Sequence, residues 1–262
     1  MKGIVIIARR YQEVIMLELF EDQLAGIREK YGSDCLKRVE DMFYPLLQQR
    51  APLQADAKYI MPGLSTTPWL DTNSFPQLQP LVTSLMNNAD KIKQEINAVI
   101  SGESQYITDY EHYLGTQKDW KALYLFKNGQ PNNAVANILP ATWHIFNNEL
   151  RDWHCPLLEV HFSVLQPGTV IKPHCDLWNF TLNLHFAVDI PASHCEIIVA
   201  NEARCWKEGE CLLFDYSYQH EAYNRSDKHR ICLLMDIWHP NLSFAEREAL
   251  VLIITGIRKL FG

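Results

Sequence analysis

Two histidines and a carboxylate in the second half of the chain have the residue types and the order of a metal site. His174 and Asp176 are two residues apart, so on an extended chain both side chains project to the same side. His220 follows at the end of a later predicted strand. Two imidazoles and one carboxylate on one face of an ion leave the opposite positions open, which suits a non-haem Fe(II) that activates O2. His174, Asp176 and His220 are therefore the candidate metal ligands and catalytic residues.

The spacing of His174 and Asp176 is not specific by itself, because His194-Cys195-Glu196 repeats it. An arginine that follows the three ligand types strengthens the interpretation. Arg230 begins an otherwise apolar predicted strand, where an unpaired guanidinium would be costly, so a buried carboxylate partner is expected. A guanidinium suits this role because its planar fork makes two parallel charge-assisted hydrogen bonds and does not lose its proton.

Short apolar runs separated by turns must position these residues. Strands this close in sequence cannot be parallel, because each parallel crossover takes about a dozen residues. The pattern indicates an antiparallel sandwich or barrel. The predicted strands cover residues 158–165, 180–188, 195–200, 211–215 and 230–237.

The strand at residues 180–188 has one apolar and one polar face. Phe180, Leu182, Leu184, Phe186 and Val188 alternate with Thr181, Asn183, His185 and Ala187. A strand that faces solvent would carry long charged residues on its polar face. Short polar side chains there favour the wall of a lumen or pocket.

Helices are predicted on both sides of these strands, and they divide the chain into three parts. Residues 1–49 are predicted to form a helical hairpin, with helices at 11–31 and 34–49, whose apolar stripe serves packing or a homo-oligomer contact. Residues 50–245 form the main domain, with an ordered loop across the surface at 50–75 and a helix at 77–100. Residues 246–262 continue a last helix, which Ser243 caps with Glu246 in its first turn.

The composition excludes several classes of protein. A hydrophobic fraction of 47% with 21% charged residues is typical of a globular chain, and a net charge of -7 argues against nucleic acid as the partner. The seven cysteines include no CxxC pair, which fits buried thiols in a reducing compartment. Neither a secretory signal nor an apolar run long enough to span a membrane is visible, so a cytoplasmic location is expected.

Several segments closely resemble the aspartyl/asparaginyl β-hydroxylase family. The resemblance extends in outline from Gln54 to Leu250 and is densest between Val160 and Pro240, whereas the predicted hairpin falls outside it. Its segments are MPGLSTTPW at 61–69, HFSVLQPGTVIKPH at 161–174, CEIIVANEARCWKEGECLLF at 195–214, DYSYQHE at 215–221, and Arg230 through Pro240.

The resemblance implies a mainly β fold with flanking helices, a double-stranded β-helix or jelly roll that uses Fe(II), 2-oxoglutarate and O2. By resemblance, His174 and His220 are metal ligands. Arg230 with Ser163 should hold the distal carboxylate of 2-oxoglutarate, and His185 should lie near its other carboxylate.

Two positions depart from the animal enzymes of this family. Those enzymes have Gly at the position of Asp176, whereas this chain has the full triad, as do bacterial relatives that resemble the lipid A hydroxylases. Thr181 and Asn183 stand where the animal enzymes place arginines that hold acidic groups of substrate or cosubstrate. Asn183 is therefore counted with the cofactor-binding candidates, and what replaces the arginines is open.

The expected function is hydroxylation of an unactivated C–H bond by an Fe(II)/2-oxoglutarate-dependent dioxygenase. The expected substrate is an Asp/Asn-type side chain, or a related acidic or amide group, of a protein, peptide or small molecule. One alternative is a hydroxylase of a lipid acyl chain or small metabolite, which Asp176 and the missing arginines motivate. Another is a non-catalytic jelly roll that binds a ligand or partner, and the intact triad weighs against it.

Overall fold

The fold was analysed in a computed structural model, which describes residues 17–44, 47–48, 50–64, 66–102, 105–110, 114, 119–149, 159–192 and 194–261. The strands are β1 (Trp69–Leu70), β2 (Thr108–Asp109), β3 (Trp120–Lys127), β4 (Gln130–Pro131), β5 (Val160–Leu165), β6 (Val170–His174), β7 (Thr181–Asp189), β8 (Cys195–Val199), β9 (Glu202–Arg204), β10 (Cys211–Phe214), β11 (His220–Asn224) and β12 (Arg230–Trp238). The helices are α1 (Glu21–Tyr31), α2 (Lys37–Asp41), α3 (Gln79–Asn87), α4 (Ala89–Ser101), α5 (Pro140–Asn148) and α6 (Phe244–Phe261).

The strands form two antiparallel sheets. The large sheet has the order β1-β10-β7-β12-β5-β3-β2, with β4 paired to β3, and the small sheet has the order β6-β11-β8-β9. From β5 onward the chain passes back and forth between the sheets, since β5, β7, β10 and β12 lie in the large sheet while β6, β8, β9 and β11 lie in the small one. This is the double-stranded β-helix, and the predicted fold class is confirmed.

The large sheet separates two hydrophobic cores. On one face, alternate residues of β5, β7 and β12 pack with α3 and α4, as Phe162, Leu184 and Leu233 do. On the other face, Leu165, Phe214 and Cys232 pack with Ile197 and Val199 of the small sheet. Side chains therefore cover both faces of the central strands, which explains why every residue of β5 is buried. The face toward the small sheet is the one that carries the polar residues of β7.

Two helices differ from the sequence predictions. The helix predicted at 77–100 is divided into α3 and α4 by Asn88, whose backbone leaves helical geometry at φ −110° and ψ 12°. The second predicted helix, at 34–49, is reduced to the five residues of α2 and ends at Asp41. Residues 1–16, which include the start of the first predicted helix, lie outside the described part of the chain.

The segment at residues 50–75 crosses the surface as predicted, and several of its apolar side chains are anchored in the core. Its apolar residues include Ile60, Met61 and Trp69, each at most 9% exposed. Met61 is fixed by Asn179, whose side-chain oxygen accepts from the Met61 amide at 2.8 Å while its Nδ2 donates to the Met61 carbonyl. Strand β1 then extends the large sheet at its β10 edge.

The first helices pack against the last one. Leu24 and Ile27 of α1 are buried in the same core as Ala249 and Ile253 of α6. The capping box predicted at Ser243 is present, because the Ser243 hydroxyl accepts from the Glu246 amide while the Glu246 carboxylate accepts from the Ser243 amide. The three-part division of the chain and a homo-oligomer contact stay predictions. Among the described residues, no helix is both long and apolar enough to cross a membrane.

Candidate active site

The two sheets bring His174, Asp176 and His220 together. His174 ends β6 and is the register partner of His220. His220 begins the neighbouring strand β11, whereas the sequence predicted it at the end of a strand. The two imidazole rings are 4.1 Å apart between centroids. Asp176 lies beyond the end of β6, and its amide donates to the Tyr216 carbonyl at 2.9 Å. One ligand atom from each of the three side chains lies within 4.8 Å of the others.

Both histidines are oriented as metal ligands commonly are. The Nδ1 atom of His174 lies 2.8 Å from the Lys172 carbonyl, and that of His220 lies 2.9 Å from the Tyr218 carbonyl. A carbonyl can only accept, so Nδ1 carries the proton in each ring and Nε2 offers its lone pair. Burial lowers the pKa of His220 to about 4, so this imidazole is neutral near pH 7. Two imidazoles that present Nε2, together with the Asp176 carboxylate, fit Fe(II).

Arg230 lies in the same cavity, which has a volume of about 270 Å³. Its side chain is 1% exposed, and Nη1 is 3.5 Å from both the carbonyl and the hydroxyl of Ser163. The guanidinium lies 4.7 Å from the centre of the Trp206 ring. Its Nε atom has no hydrogen-bond partner, and no carboxylate of the described residues forms an ion pair with it. A buried cation in this situation fits the carboxylate of a bound ligand.

His185 lies on β7 and also faces the cavity. The indole nitrogen of Trp206 lies 3.2 Å from its Nδ1 atom. An indole N–H can only donate, so Nδ1 accepts and the neutral ring carries its proton on Nε2. Burial, followed by the nearby positive charge of Arg230, lowers the pKa of His185 well below its usual value. This residue can therefore offer a neutral hydrogen-bond donor.

Asn183 lies on the same strand but near the other end of the cavity. It is the register partner of Asp236, and its Nδ2 donates to the Asp236 carboxyl at 2.7 Å. Glu159 precedes β5, and its carbonyl accepts from the Asp236 amide. The structure thus groups Asn183 with two carboxyl groups, whereas Arg230, Ser163 and His185 share the remainder of the site.

Several residues that line this cavity were not predicted from the sequence: Tyr110, Glu159, His161, Tyr216 and Asp236. A local signal existed for some of them, because His161 precedes Ser163 by two residues and Asp236 shares a strand face with Arg230. The positions of Tyr110 and Tyr216 in the cavity depend on tertiary contacts, which no local sequence pattern indicates.

The family model described as aspartyl/asparaginyl beta-hydroxylase matches residues 86–240, which is more than half of the chain. The chain belongs to this family. All three residues of the candidate triad lie in the matched region, as do the cavity residues Arg230 and Asp236.

Relatives in this hydroxylase family are long proteins. The aspartyl/asparaginyl beta-hydroxylase of Mus musculus is 29% identical over 192 residues, which cover 73% of this chain and 26% of the relative. Aspartate beta-hydroxylase domain-containing protein 2 of Xenopus tropicalis is 30% identical over 211 residues, with 78% and 56% covered. The chain thus spans about a quarter to a half of these relatives. A Pseudomonas putida prolyl-4-hydroxylase structure is 10% identical over 61% of this chain and 98% of its own, with a TM-score of 0.38.

Within this family member, Thr181 is committed to other contacts. Its hydroxyl bonds with the Tyr216 hydroxyl and accepts from the Trp178 indole, the latter at 2.7 Å. The two positions at which the resemblance implies arginines in the animal enzymes therefore hold an engaged hydroxyl and an amide paired with a carboxyl group. No arginine of the described residues other than Arg230 lines the cavity.

Proposed function

We propose that the chain is an Fe(II)- and 2-oxoglutarate-dependent dioxygenase that hydroxylates a C–H bond. One observation carries the proposal: a buried guanidinium without a carboxylate partner among the described residues shares a cavity with a His, Asp, His set. Family membership supports the same chemistry, since the family's name is that of a hydroxylase.

His174, Asp176 and His220 would hold the iron. When bound, the iron supplies the activation of O2 and the oxidation of the keto acid that hydroxylation requires. Arg230 would bind the distal carboxylate of 2-oxoglutarate with its planar fork. His185, with its proton on Nε2, would donate to a second oxygen of the cosubstrate.

The walls of the cavity would keep water from the reacting atoms. Ile171, Ile197, Phe214 and Leu234 line it between the two sheets. Apolar walls lower the local dielectric, which strengthens the attraction between Arg230 and a carboxylate. They also limit the wasteful reaction of an activated oxidant with water.

The Asp/Asn-type substrate expected from the resemblance is a separate part of this proposal, and the charges on the cavity wall argue against its acidic form. An aspartyl side chain in this cavity would meet the carboxyl groups of Asp236 and Glu159 instead of the arginines of the animal enzymes. Like charges brought together in a partly buried site destabilise the complex.

An anaerobic visible spectrum tests the proposed chemistry without knowledge of the substrate. The full chain is mixed with Fe(II) before and after addition of 2-oxoglutarate. A metal-to-ligand charge-transfer band that needs both components, and that is lost in Asp176→Ala, is the expected result. No band and no Fe(II) binding by calorimetry would overturn the proposal in favour of a non-catalytic jelly roll.

Mass spectrometry of cell extracts treated with the protein, Fe(II) and 2-oxoglutarate then identifies the class of product. Insertion of one oxygen adds about 16 Da. The gain on a peptide or metabolite would separate those substrates from the alternative of a lipid acyl chain. The matched control is the same extract treated with Asp176→Ala.

A further inference from the structure

The cavity has a guanidinium at one end and two carboxyl groups at the other. Along β12, Arg230, Leu234 and Asp236 share the face toward the small sheet, and all three line the cavity. Asp236 lies six residues after Arg230, which corresponds to about 20 Å of extended chain at about 3.3 Å per residue. The candidate metal ligands line the same cavity. A substrate that enters it must therefore be complementary to the end opposite Arg230.

Three neighbouring strands build that opposite end, which we call the acidic wall: Glu159, Asp236 and Asn183. Asp236 of β12 is the register partner of Asn183 on β7, and its amide donates to the Glu159 carbonyl beside β5. No lysine or arginine of the described residues lies within ion-pair distance of either carboxyl group. The acidic wall therefore holds two carboxyl groups without a countercharge in contact.

Burial raises the pKa of both acidic groups. The pKa of Asp236 rises to about 8, first because it is buried and then because Glu159 and Asp176 repel its negative charge. Burial also raises the pKa of Glu159, while Lys127, the Tyr110 hydroxyl and Arg258 act in the opposite direction. A positive charge placed between the two groups would relieve this repulsion.

His161 gives independent evidence for a missing ligand at this wall. Its side chain is 4% exposed and lines the cavity, yet neither ring nitrogen has a hydrogen-bond partner. Its Nδ1 atom is 3.9 Å from the Glu159 carboxylate, which is beyond hydrogen-bond distance. The Asn183 side-chain oxygen is also buried without a partner. Buried polar groups are nearly always hydrogen-bonded, so the acceptor nitrogen of the neutral His161 ring and the Asn183 oxygen indicate a ligand with donors.

We propose that the acidic wall binds an ammonium or guanidinium group of the substrate, so that the hydroxylated compound is basic. The inference rests on the proposed function and names the substrate class of the same site. Glu159, Asp236 and the Asn183 oxygen are acceptors, and a guanidinium with five donors or an ammonium with three satisfies them. His161 stacks with Tyr110 at 5.3 Å, which adds aromatic faces that attract a cation.

This arrangement reverses the charge of the site expected from the resemblance. By resemblance to the animal enzymes, two arginines that hold acidic groups would stand at the positions of Thr181 and Asn183. Here, the hydroxyl of Thr181 bonds with Tyr216 and Trp178, and the amide of Asn183 bonds with a carboxyl group. The basic side chain is that of arginine or lysine, free or within a peptide.

Calorimetry on the metal-free full chain tests the inference with defined probes. The probes are L-arginine and the capped peptide Ala-Arg-Ala, each compared with its citrulline counterpart, which keeps the shape but lacks the charge. Capped Ala-Lys-Ala and Ala-Asp-Ala complete the set. We expect an arginine or lysine probe to bind at least tenfold more tightly than the citrulline and aspartate probes. The free amino acid and the peptide distinguish the two sources of the same group.

Variants of the acidic wall test whether the basic probes bind there. Asp236→Asn should weaken arginine binding at least tenfold and leave the citrulline affinity within about twofold, because only the charged contact is lost. Glu159→Gln, at a half-buried position, provides a second variant if Asp236→Asn fails to fold. The exposed Glu202→Gln is the matched control and should bind arginine as the wild type does.

Equal binding of arginine and citrulline, tighter binding of aspartate, no binding by any probe, or no effect of Asp236→Asn and Glu159→Gln would each overturn the inference. The ferrous 2-oxoglutarate spectrum of the same wild-type preparation separates this failure from failure of the proposed function. A band without preference for a basic probe removes only the substrate class. Arginine binding without a band removes the hydroxylase and retains the cation site.

Discussion

His174 and His220 lie side by side on adjacent strands of the small sheet, and each ring is held by the carbonyl two residues before it. The Nδ1 atoms donate to Lys172 and Tyr218, and the ring centroids are 4.1 Å apart. The same local hydrogen bond on two adjacent strands therefore sets both rings in the orientation of a ligand pair. The fold prepares the site before any metal binds, which reduces the ordering that binding requires.

This pairing predicts that loss of either imidazole abolishes the metal site. His220→Ala removes one of three donors, and we expect the affinity for Mn(II), used as an air-stable probe, to fall by about 100-fold or more, beyond the losses seen for outer-shell partners. Calorimetry measures it. His144→Ala, which changes an exposed histidine on α5, is the control. Unchanged Mn(II) affinity in His220→Ala would remove this residue from the site.

Arg230→Lys tests the geometry of the guanidinium as distinct from its charge. Lysine keeps the positive charge but cannot form two parallel bonds to a carboxylate, so we expect the affinity for 2-oxoglutarate to fall by about tenfold or more. Titration of the ferrous charge-transfer band with 2-oxoglutarate gives this affinity. Arg225→Lys, in an exposed ion pair with Glu196, is the matched control. Equal affinities in Arg230→Lys and the wild type would exclude Arg230 from the cosubstrate site.

Trp206 is predicted to fix the tautomer of His185. In Trp206→Phe the indole donor to Nδ1 is lost and the contact with the Arg230 guanidinium is weakened, so 2-oxoglutarate affinity should fall by about threefold to tenfold. Nitrogen-15 NMR of the histidine rings should show His185 shifting from an Nε2–H form to a mixture. Trp143→Phe, where the ring stacks on Phe126, is the control. A pure Nε2–H form in Trp206→Phe would contradict this role.

Local patterns sufficed for β5, β7, β8, β10 and β12 and for one wall of the site, but not for β6 and β11, which carry His174 and His220. The alternation at residues 180–188 assigns Asn183 and His185 to one face, and both line the cavity. That prediction succeeds because the period of a strand depends only on neighbouring residues. The same alternation does not reveal that Asp236 meets Asn183 and Glu159, since their contact depends on the register of three strands far apart in sequence.

Other differences between sequence and structure have the same origin in tertiary contacts. The apolar positions Leu81, Leu85, Ile92 and Ile96 continue across the break between α3 and α4 at helical spacing, and no Pro or Gly marks Asn88. The Pro-rich segment at 50–75 is anchored to the core at single positions by contacts such as Met61 with Asn179, which its own composition does not encode.

The free energy of unfolding should depend on pH through Asp215, which lies in the connection between β10 and His220. This carboxyl group is 1% exposed, and burial raises its pKa from 3.8 to about 7. Between these values the folded state keeps the proton that the unfolded chain has lost. The contribution of Asp215 to the free energy of unfolding is therefore fully present below pH 4. It falls by about 1 kcal/mol per pH unit until about pH 7.

Asp215→Asn cannot ionise, and its side-chain oxygen can still accept the bonds that Ser217 donates. Urea titrations at pH 5 to 8 measure the free energy of unfolding of both proteins. The value for the variant minus the value for the wild type should therefore increase as pH rises. Asp227→Asn, at an exposed position, is the control and should parallel the wild type. Parallel profiles for Asp215→Asn would show that the carboxyl group does not titrate in this range.

A substitution at Gly256 of α6 tests whether Phe20, which precedes α1, packs against this helix. A Cβ atom at this position would overlap the Phe20 ring, which is 8% exposed and belongs to the same core as α6. Helix propensity alone would make Gly256→Ala stabilising by about 1 kcal/mol. Because the ring must shift, we expect it instead to lower the free energy of unfolding by about 1–3 kcal/mol.

Removal of the ring should reverse the sign. In the Phe20→Ala background the space is open, so adding Gly256→Ala should raise the free energy of unfolding by up to about 1 kcal/mol. Gly26→Ala on α1, where a Cβ meets nothing within 4 Å, is the matched control and should stabilise in both backgrounds. Urea unfolding measures all variants. If Gly256→Ala stabilises the wild type as much as Gly26→Ala does, Phe20 does not pack on α6 and the N-terminal helices are not docked there.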